Sequence, residues 1–316
     1  MRLNKLFLLG FLITPALGFG QQAKLEAGIK VGAASGLCDI GGISSGGNPW
    51  LLDLQPSQIR YDLGAYIRYK INHKWAVSAH FDYMQLQGFD SLSKYTPIRD
   101  RNLNYRDNII EGAVRGEWTF YDNPDVGGNF NYTTTFSAYL FAGVGIFHMN
   151  PEAMLTHTYV YGTGGGSLPP GTWIPLHTLT TEGEKPYSLI QPTIPVGIGF
   201  HYVFNKAVSL GWELAWNKTF TDYIDDVSGK YPVYGDNPNL INPYSKYLTA
   251  QSYWVPGITS EQLAQYGPGS PRGNPKNDDS FVSTAVTLGF YIHPKISKRI
   301  KRSFFDKDNY KSRASF

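Results

Sequence analysis

From Ala207 to Ser228 the chain reads AVSLGWELAWNKTFTDYIDDVS. Val208, Leu210, Trp212, Leu214, Trp216 and Phe220 alternate with Ser209, Gly211, Glu213, Ala215, Asn217 and Thr219, and only Lys218 interrupts the apolar set. A period of two is the signature of a strand. Bulky apolar groups on one face, with glycine, serine and glutamate on the other, fit lipid outside and a narrow polar lumen inside. A soluble sandwich would rarely carry so much glycine on its outer face. After Thr221 come Asp222, Asp225 and Asp226. Three carboxylates in five residues are costly in hydrocarbon, so the chain is expected to leave the bilayer there.

The same alternation predicts seven more strands. The first sends Leu25, Ala27, Ile29 and Val31 outward and Glu26, Gly28, Lys30 and Gly32 inward. The second sets Ile59, Tyr61, Leu63, Ala65, Ile67, Tyr69 and Ile71 against Arg60, Asp62, Gly64, Tyr66, Arg68 and Lys70. Asn72, His73 and Lys74 turn it into the third, where Trp75, Val77, Ala79, Phe81 and Tyr83 oppose Ser78, His80 and Asp82. Two alternating runs joined by three residues form a hairpin. The fourth points Ile110, Val114, Trp118 and Phe120 outward, with Glu111, Arg115, Glu117 and Thr119 inside. The fifth, Phe136 to Phe147, alternates less clearly, because Tyr139 and Phe141 fall on the lumen side beside Gly143 and Gly145. The sixth, Ile194 to Phe204, turns at Asn205 and Lys206 into the strand described first, and the eighth runs from Phe281 to Ile292 with Val282, Val286, Leu288, Phe290 and Ile292 outward.

Connections alternate in length. Residues 72 to 74, 121 to 134 and 205 to 206 are short or moderate, whereas 34 to 57, 89 to 107, 149 to 188 and 222 to 279 are long. Short turns at one end and long loops at the other characterise outer-membrane barrels. The expected fold is therefore all-β: an eight-stranded antiparallel transmembrane β-barrel of the OmpA-like kind, with long extracellular loops and both termini in the periplasm. The loops, rich in Pro, Gly, Asn and Tyr, are expected to be irregular, apart from a helical turn at Ser260 to Tyr266. Met1 to Gly20 has the form of a signal peptide, with Arg2 and Lys5 before an apolar run and a small-residue end. Residues 21 to 293 then form the barrel and its loops, and 294 to 316 a basic periplasmic tail.

Composition fits this picture, with 22 tyrosines, 18 phenylalanines, seven tryptophans and 34 glycines among 17% charged residues. One cysteine excludes an internal disulfide framework, and a net charge of +3 argues against nucleic acid. Cys38, unpaired within the chain, is a candidate for contact with a partner chain. An eight-stranded barrel has an interior that side chains fill. Glu26, Lys30, Arg60, Asp62, Arg68, Asp82, Glu111, Arg115, Glu117 and Glu213, with Lys70, are expected to form a closed network of paired charges there and not a substrate channel. Acid-base chemistry could draw on Asp222, Asp225 and Asp226 with His148 and His157, but solvated carboxylates or a structural cation is the plainer expectation. No zinc-protease helix, Gly-x-Ser-x-Gly elbow or phosphate loop occurs, and Gly162 to Gly166 reads as a plain loop. No catalytic residue, cofactor or metal ligand is assigned.

KPYSLIQPTIPVGIGFHYVF (Lys185 to Phe204) with KTFTDYIDDVSGKY (Lys218 to Tyr231) resembles a hairpin and rim of the PorG family, outer-membrane barrels of the type IX secretion system of Bacteroidota. RNLNYRDNIIEGAVRGEWTFY (Arg101 to Tyr121) is similar to that family's entry into the fourth strand, and Asp39 and Ile40 match a pair after the first, although Cys38 stands where glycine is expected. In this resemblance the rim motif comprises Thr219, Asp222, Tyr223, Asp225 and Asp226. It implies a non-catalytic secretion component, embedded in outer-membrane lipid, whose partners are a periplasmic ring lipoprotein and its companion subunit, together with other outer-membrane secretion components. The tail from 293 holds eight basic and two acidic residues. Lys298, Arg299, Lys301 and Arg302 are its candidate docking residues for an acidic ring partner. The alternative is a paralogous barrel with a structural or surface-binding role outside secretion, and an outer-membrane enzyme ranks third.

Overall fold

A computed structural model describes residues 25–41, 56–124, 134–161, 166–183, 185–204, 207–233 and 243–292. Residues 1–20, expected as a signal peptide, the expected turn at 205–206, Gly162 to Gly165 and the expected basic tail lie outside these residues. Eight long strands form the wall: β1 (Leu25–Leu37), β2 (Arg60–Lys70), β3 (Trp75–Phe89), β4 (Asn104–Pro124), β5 (Thr134–His148), and, after four short strands of the third long loop, β10 (Ile190–Phe204), β11 (Val208–Thr219) and β12 (Ser280–Ile292). Each pairs antiparallel with its neighbours in the order β3, β2, β1, β12, β11, β10, β5, β4, and β4 returns to β3, so the sheet closes. Closure leaves no unpaired edge, which is what allows strands to cross hydrocarbon.

Alternation decides which face each residue takes. Ile29, Val31, Leu63, Ile67, Phe81, Val114, Val144, Phe200 and Val286 stand 41 to 68% exposed around the outside, an apolar belt that has no place in water and matches lipid. Trp75 lies opposite Trp118 near the short-turn end, and Tyr61 meets Tyr83 at 5.9 Å toward the long-loop end. These are the aromatic girdles of the two interfaces. The hairpin at 72–74 is closed by the Ile71 and Asn72 amides donating to the Trp75 carbonyl. β5 does turn Tyr139 and Phe141 into the lumen, where they are 1% and 3% exposed. Val282, expected on the lipid face, is 6% exposed, paired in register with Trp216 on one side and Ser35 on the other.

The wall is taller than a bilayer requires. β4 has 21 residues, whereas a spanning strand needs about 9 to 11. On β4 the exposed apolar positions begin at Ile110, and the Asn104 to Ile109 segment beyond them is largely buried by other loops. The described parts of the long loops are folded, contrary to the expectation of irregular chain. β6 (Glu152–Met154) pairs with β9 (Trp173–Pro175) and meets β4 at Arg106, β7 (Tyr159–Tyr161) pairs with β8 (Gly166–Leu168), and α1 (Thr96–Arg101) precedes β4. α2 (Pro243–Thr249) brings Leu248 to Ala153, Leu155, Leu176 and Leu179, which form a small core of their own. The expected turn at Ser260 is α3 (Ser260–Leu263), capped reciprocally by Thr259 and Gln262 and followed by a 3-10 turn to Tyr266.

Candidate functional site: the filled lumen and the carboxylate-rich cap

The lumen is stacked in layers. Nearest the short-turn end, Arg68 lies 3.3 Å from Glu26, 2.7 Å from Glu117 and 3.2 Å from Glu213, and donates to the Tyr139 hydroxyl at 2.8 Å. Tyr66 and Ser209 donate to Glu26, and Tyr139 to Glu213. One guanidinium is thus shared by three carboxylates, a geometry its planar fork supports and an ammonium would not. The next layer joins Lys30 to Asp82 at 2.9 Å and Asp62 at 3.6 Å, with Arg115 bridging Asp82 at 3.8 Å and Glu213 at 3.3 Å. Gly64, opposite Lys30 in register, makes this possible: a Cβ there would fall 1.9 Å from Asp82 Oδ1 and 2.7 Å from Lys30 Cε.

Toward the long-loop end the lumen turns apolar. Met84, Ile109, Phe147 and Phe281, all at most 1% exposed, pack with Leu86, Tyr105, Ile224 and Val227 as a plug. Two expectations for the lumen change. Arg60 belongs to the loop end, half-buried, donating to Gln87 and to the carbonyls of Ser57 and Ile59. Glu111 is within the lumen and 1% exposed, but neither of its oxygens accepts a hydrogen bond. Register places it opposite Asp82, so like charges face each other across the β3–β4 pair.

Above the plug, four loops converge through buried carboxylates. Arg101 donates from Nε and Nη2 to Asp90 at 2.7 and 3.0 Å, from Nη2 to the Asp39 carbonyl at 2.7 Å and from Nη1 to the Arg272 carbonyl at 2.7 Å. Asp90 also accepts from the Gly41 and Leu103 amides. Arg272 in turn pairs with Glu182 at 3.0 Å and donates to the Asp226 carbonyl, while Glu182 accepts the Ser228 and Gly229 amides. Asp226, in the left-handed region at φ 64°, accepts from Thr181 and, at 2.8 Å, from Tyr187, whose ring stacks on Tyr223 at 4.6 Å.

The rim motif is therefore an internal fixture and not the solvated rim expected. Asp225 is 0%, Asp226 2% and Asp222 8% exposed. Burial pushes Asp226 up to about 6 against the pull of Arg272, and Asp222 up to about 7. Asp225 and Asp279 are raised well above the ordinary carboxylate range by burial and by their mutual repulsion with neighbouring carboxylates, Asp39 for the first and Asp225 for the second. Cys38 is partly buried, accepts the Tyr105 hydroxyl at 3.4 Å, and is pushed up by burial and by the charges of Asp279 and Asp225.

The histidines do not join this group. His157 is exposed and stacks on Trp254 at 4.6 Å, and His148 ends β5 on the exposed face. Neither hydrogen-bonds a rim carboxylate, so the pieces for acid-base work are not assembled. Asp90, Glu182, Arg272 and Asp279 were missed from sequence, since nothing local marks a loop residue whose partners lie eleven or more residues away along the chain. The docking residues Lys298, Arg299, Lys301 and Arg302 lie outside the described residues.

No family model and no curated protein matches the chain. Solved structures that it resembles include Neisserial surface protein A (11% identity, covering 87% of this chain and 100% of that one, TM-score 0.36), Ail, the attachment invasion locus protein of Yersinia pestis, in complex with a heparin analogue (9%, 84% and 98%, 0.34), and OprG from Pseudomonas aeruginosa (11%, 87% and 98%, 0.33). The chain's own strand pairing and apolar belt make it a closed, eight-stranded antiparallel membrane barrel with a filled lumen and a folded cap.

Proposed function

We propose that the protein is a non-catalytic outer-membrane component of the type IX secretion system, resembling PorG, and that it anchors or contacts the periplasmic lipoprotein ring and its companion subunit. One observation carries this reading: the three stretches in which the sequence resembles that family meet in space. The Ile40 amide donates to Asp225 at 2.8 Å across 185 residues, and Arg101, which opens the second stretch, donates to the Asp39 carbonyl. A likeness scattered along the chain thus becomes a single structural unit, as a shared architecture would require.

The filled lumen supports an anchoring role over a conducting one, because the Arg68 network and the Phe147–Phe281 plug occupy the only axial path through the described barrel. A paralogous barrel with a surface-binding role is the second reading, favoured by the folded cap with its own core. Affinity purification of the tagged protein from gently solubilised outer membranes, followed by mass spectrometry, separates the two. Recovery of a periplasmic lipoprotein and its ring partner in large assemblies is expected; a clean monomer would overturn the secretion reading.

A further inference from the structure

Where β1, β11 and β12 reach the cap, one thiol and two carboxylates face each other. Cys38 Sγ and an oxygen each of Asp225 and Asp279 all lie within 4.8 Å of one another. Asp225 and Asp279 are 0% and 2% exposed, and among the described residues neither makes an ion pair. Buried charge without a counter-charge is expensive, and nature resolves it with a cation or a proton. Elsewhere in this cap the resolution is visible: Asp90 has Arg101, and Glu182 and Asp226 have Arg272. At Cys38, Asp225 and Asp279 no such cation stands.

A further buried carboxylate acts on the same pair. Asp222, 8% exposed, has no well-formed hydrogen bond to either carboxylate oxygen, although the Ser228 side chain eases its charge. Its charge is felt by both Asp225 and Asp279. The surrounding groups are arranged as an outer shell would be. The Ile40 and Val227 amides fix the two oxygens of Asp225 at 2.8 and 2.9 Å, the Ile224 amide fixes Asp279 at 2.9 Å, and the Tyr105 hydroxyl donates to the sulfur. Donors that orient ligand atoms while leaving lone pairs free are what tune protein metal sites.

The geometry points to a structural divalent-metal site formed by Cys38, Asp225 and Asp279, with Asp222 as a third carboxylate acting on it, selective for zinc-class ions. The thiolate decides the class. Calcium and magnesium take oxygen ligands, whereas a sulfur donor with carboxylates suits Zn2+. On binding, the Cys38 thiol and the Asp225 and Asp279 carboxyls give up the protons they hold to solvent, and the thiolate sulfur and carboxylate oxygens take the ion. The ion would tie the end of β1 to the loop after β11 and to the start of β12, holding the plug down from above.

The test uses the full-length protein, purified in detergent, stripped with chelator and reconstituted with Zn2+. Elemental analysis should give one zinc per chain, and Co2+ in its place should give a sulfur-to-cobalt charge-transfer band. Cys38→Ser and Asp279→Asn should each lose the ion, Tyr105→Phe should weaken it about tenfold, and His157→Ala, which removes an exposed adventitious ligand, should keep it. Barrel folding of each variant is checked by its heat-dependent gel migration. If a variant fails to fold, the cobalt band on the wild type still decides the donor set. No bound zinc, equal binding by folded Cys38→Ser, or calcium binding independent of Cys38 would overturn the assignment.

Discussion

Arg101 holds Asp90 through two hydrogen bonds, Nε to Oδ2 at 2.7 Å and Nη2 to Oδ1 at 3.0 Å, although both residues belong to the loop between β3 and β4. The remaining donors of the same guanidinium reach the carbonyls of Asp39 and Arg272, in the loops after β1 and before β12. A pair made within one loop thereby fastens three. Arg101→Ala leaves Asp90 buried without its counter-charge, a change that costs about 3–5 kcal/mol. Because the barrel wall is independent of it, hydrogen exchange should speed up in residues 39–41, 90–103 and 270–273 while the strand amides stay protected.

In the lumen, Arg68→Met strands Glu26 and Glu117 and leaves Glu213 to Arg115 alone, and a loss of about 3–5 kcal/mol is expected in urea unfolding from lipid vesicles. Adding Glu117→Gln should restore part of that loss, since one uncompensated charge is then removed. Simple additivity of the two substitutions would argue against a shared network.

Glu111 behaves in the opposite way. It is buried, lacks a hydrogen bond and faces Asp82 across the β3–β4 pair. Glu111→Gln removes that charge while keeping the shape, so the barrel should gain about 1 kcal/mol in the same unfolding measurement.

Removal of residues 298–316 takes away the run Lys298 to Arg302 and leaves every described strand intact. Under the proposed secretion role, the truncated barrel should migrate as folded protein but no longer bring the periplasmic ring with it on affinity purification. Co-purification undiminished by the truncation would remove the tail as the docking element. Raised salt should weaken the intact complex, because opposite charges set such an encounter.

The alternation of Val208 to Phe220, or of Trp75 to Tyr83, needed nothing but the sequence to give strand, facing and membrane class, because a period of two is local and lipid fixes the outer face. The same rule assigned Arg68, Glu117 and Glu213 to the lumen. It could not say that one arginine serves three carboxylates from β1, β4 and β11, nor that Glu111 is left without a hydrogen bond, since register across strands depends on closure of the whole sheet. β5 shows the limit clearly. Tyr139 and Phe141 blurred its alternation because the lumen needed large groups there, to cover Arg68 and Arg115. In the loops local pattern reported only the helical turn at Ser260. Asp222, Asp225 and Asp226 read as a wet rim, and burial reversed that, because Ile40 and Thr181 come to them from other loops and Arg272 folds back from the far end of their own. Contacts between loops carry no periodicity along the chain, so they are decided only when the barrel brings the loop ends together.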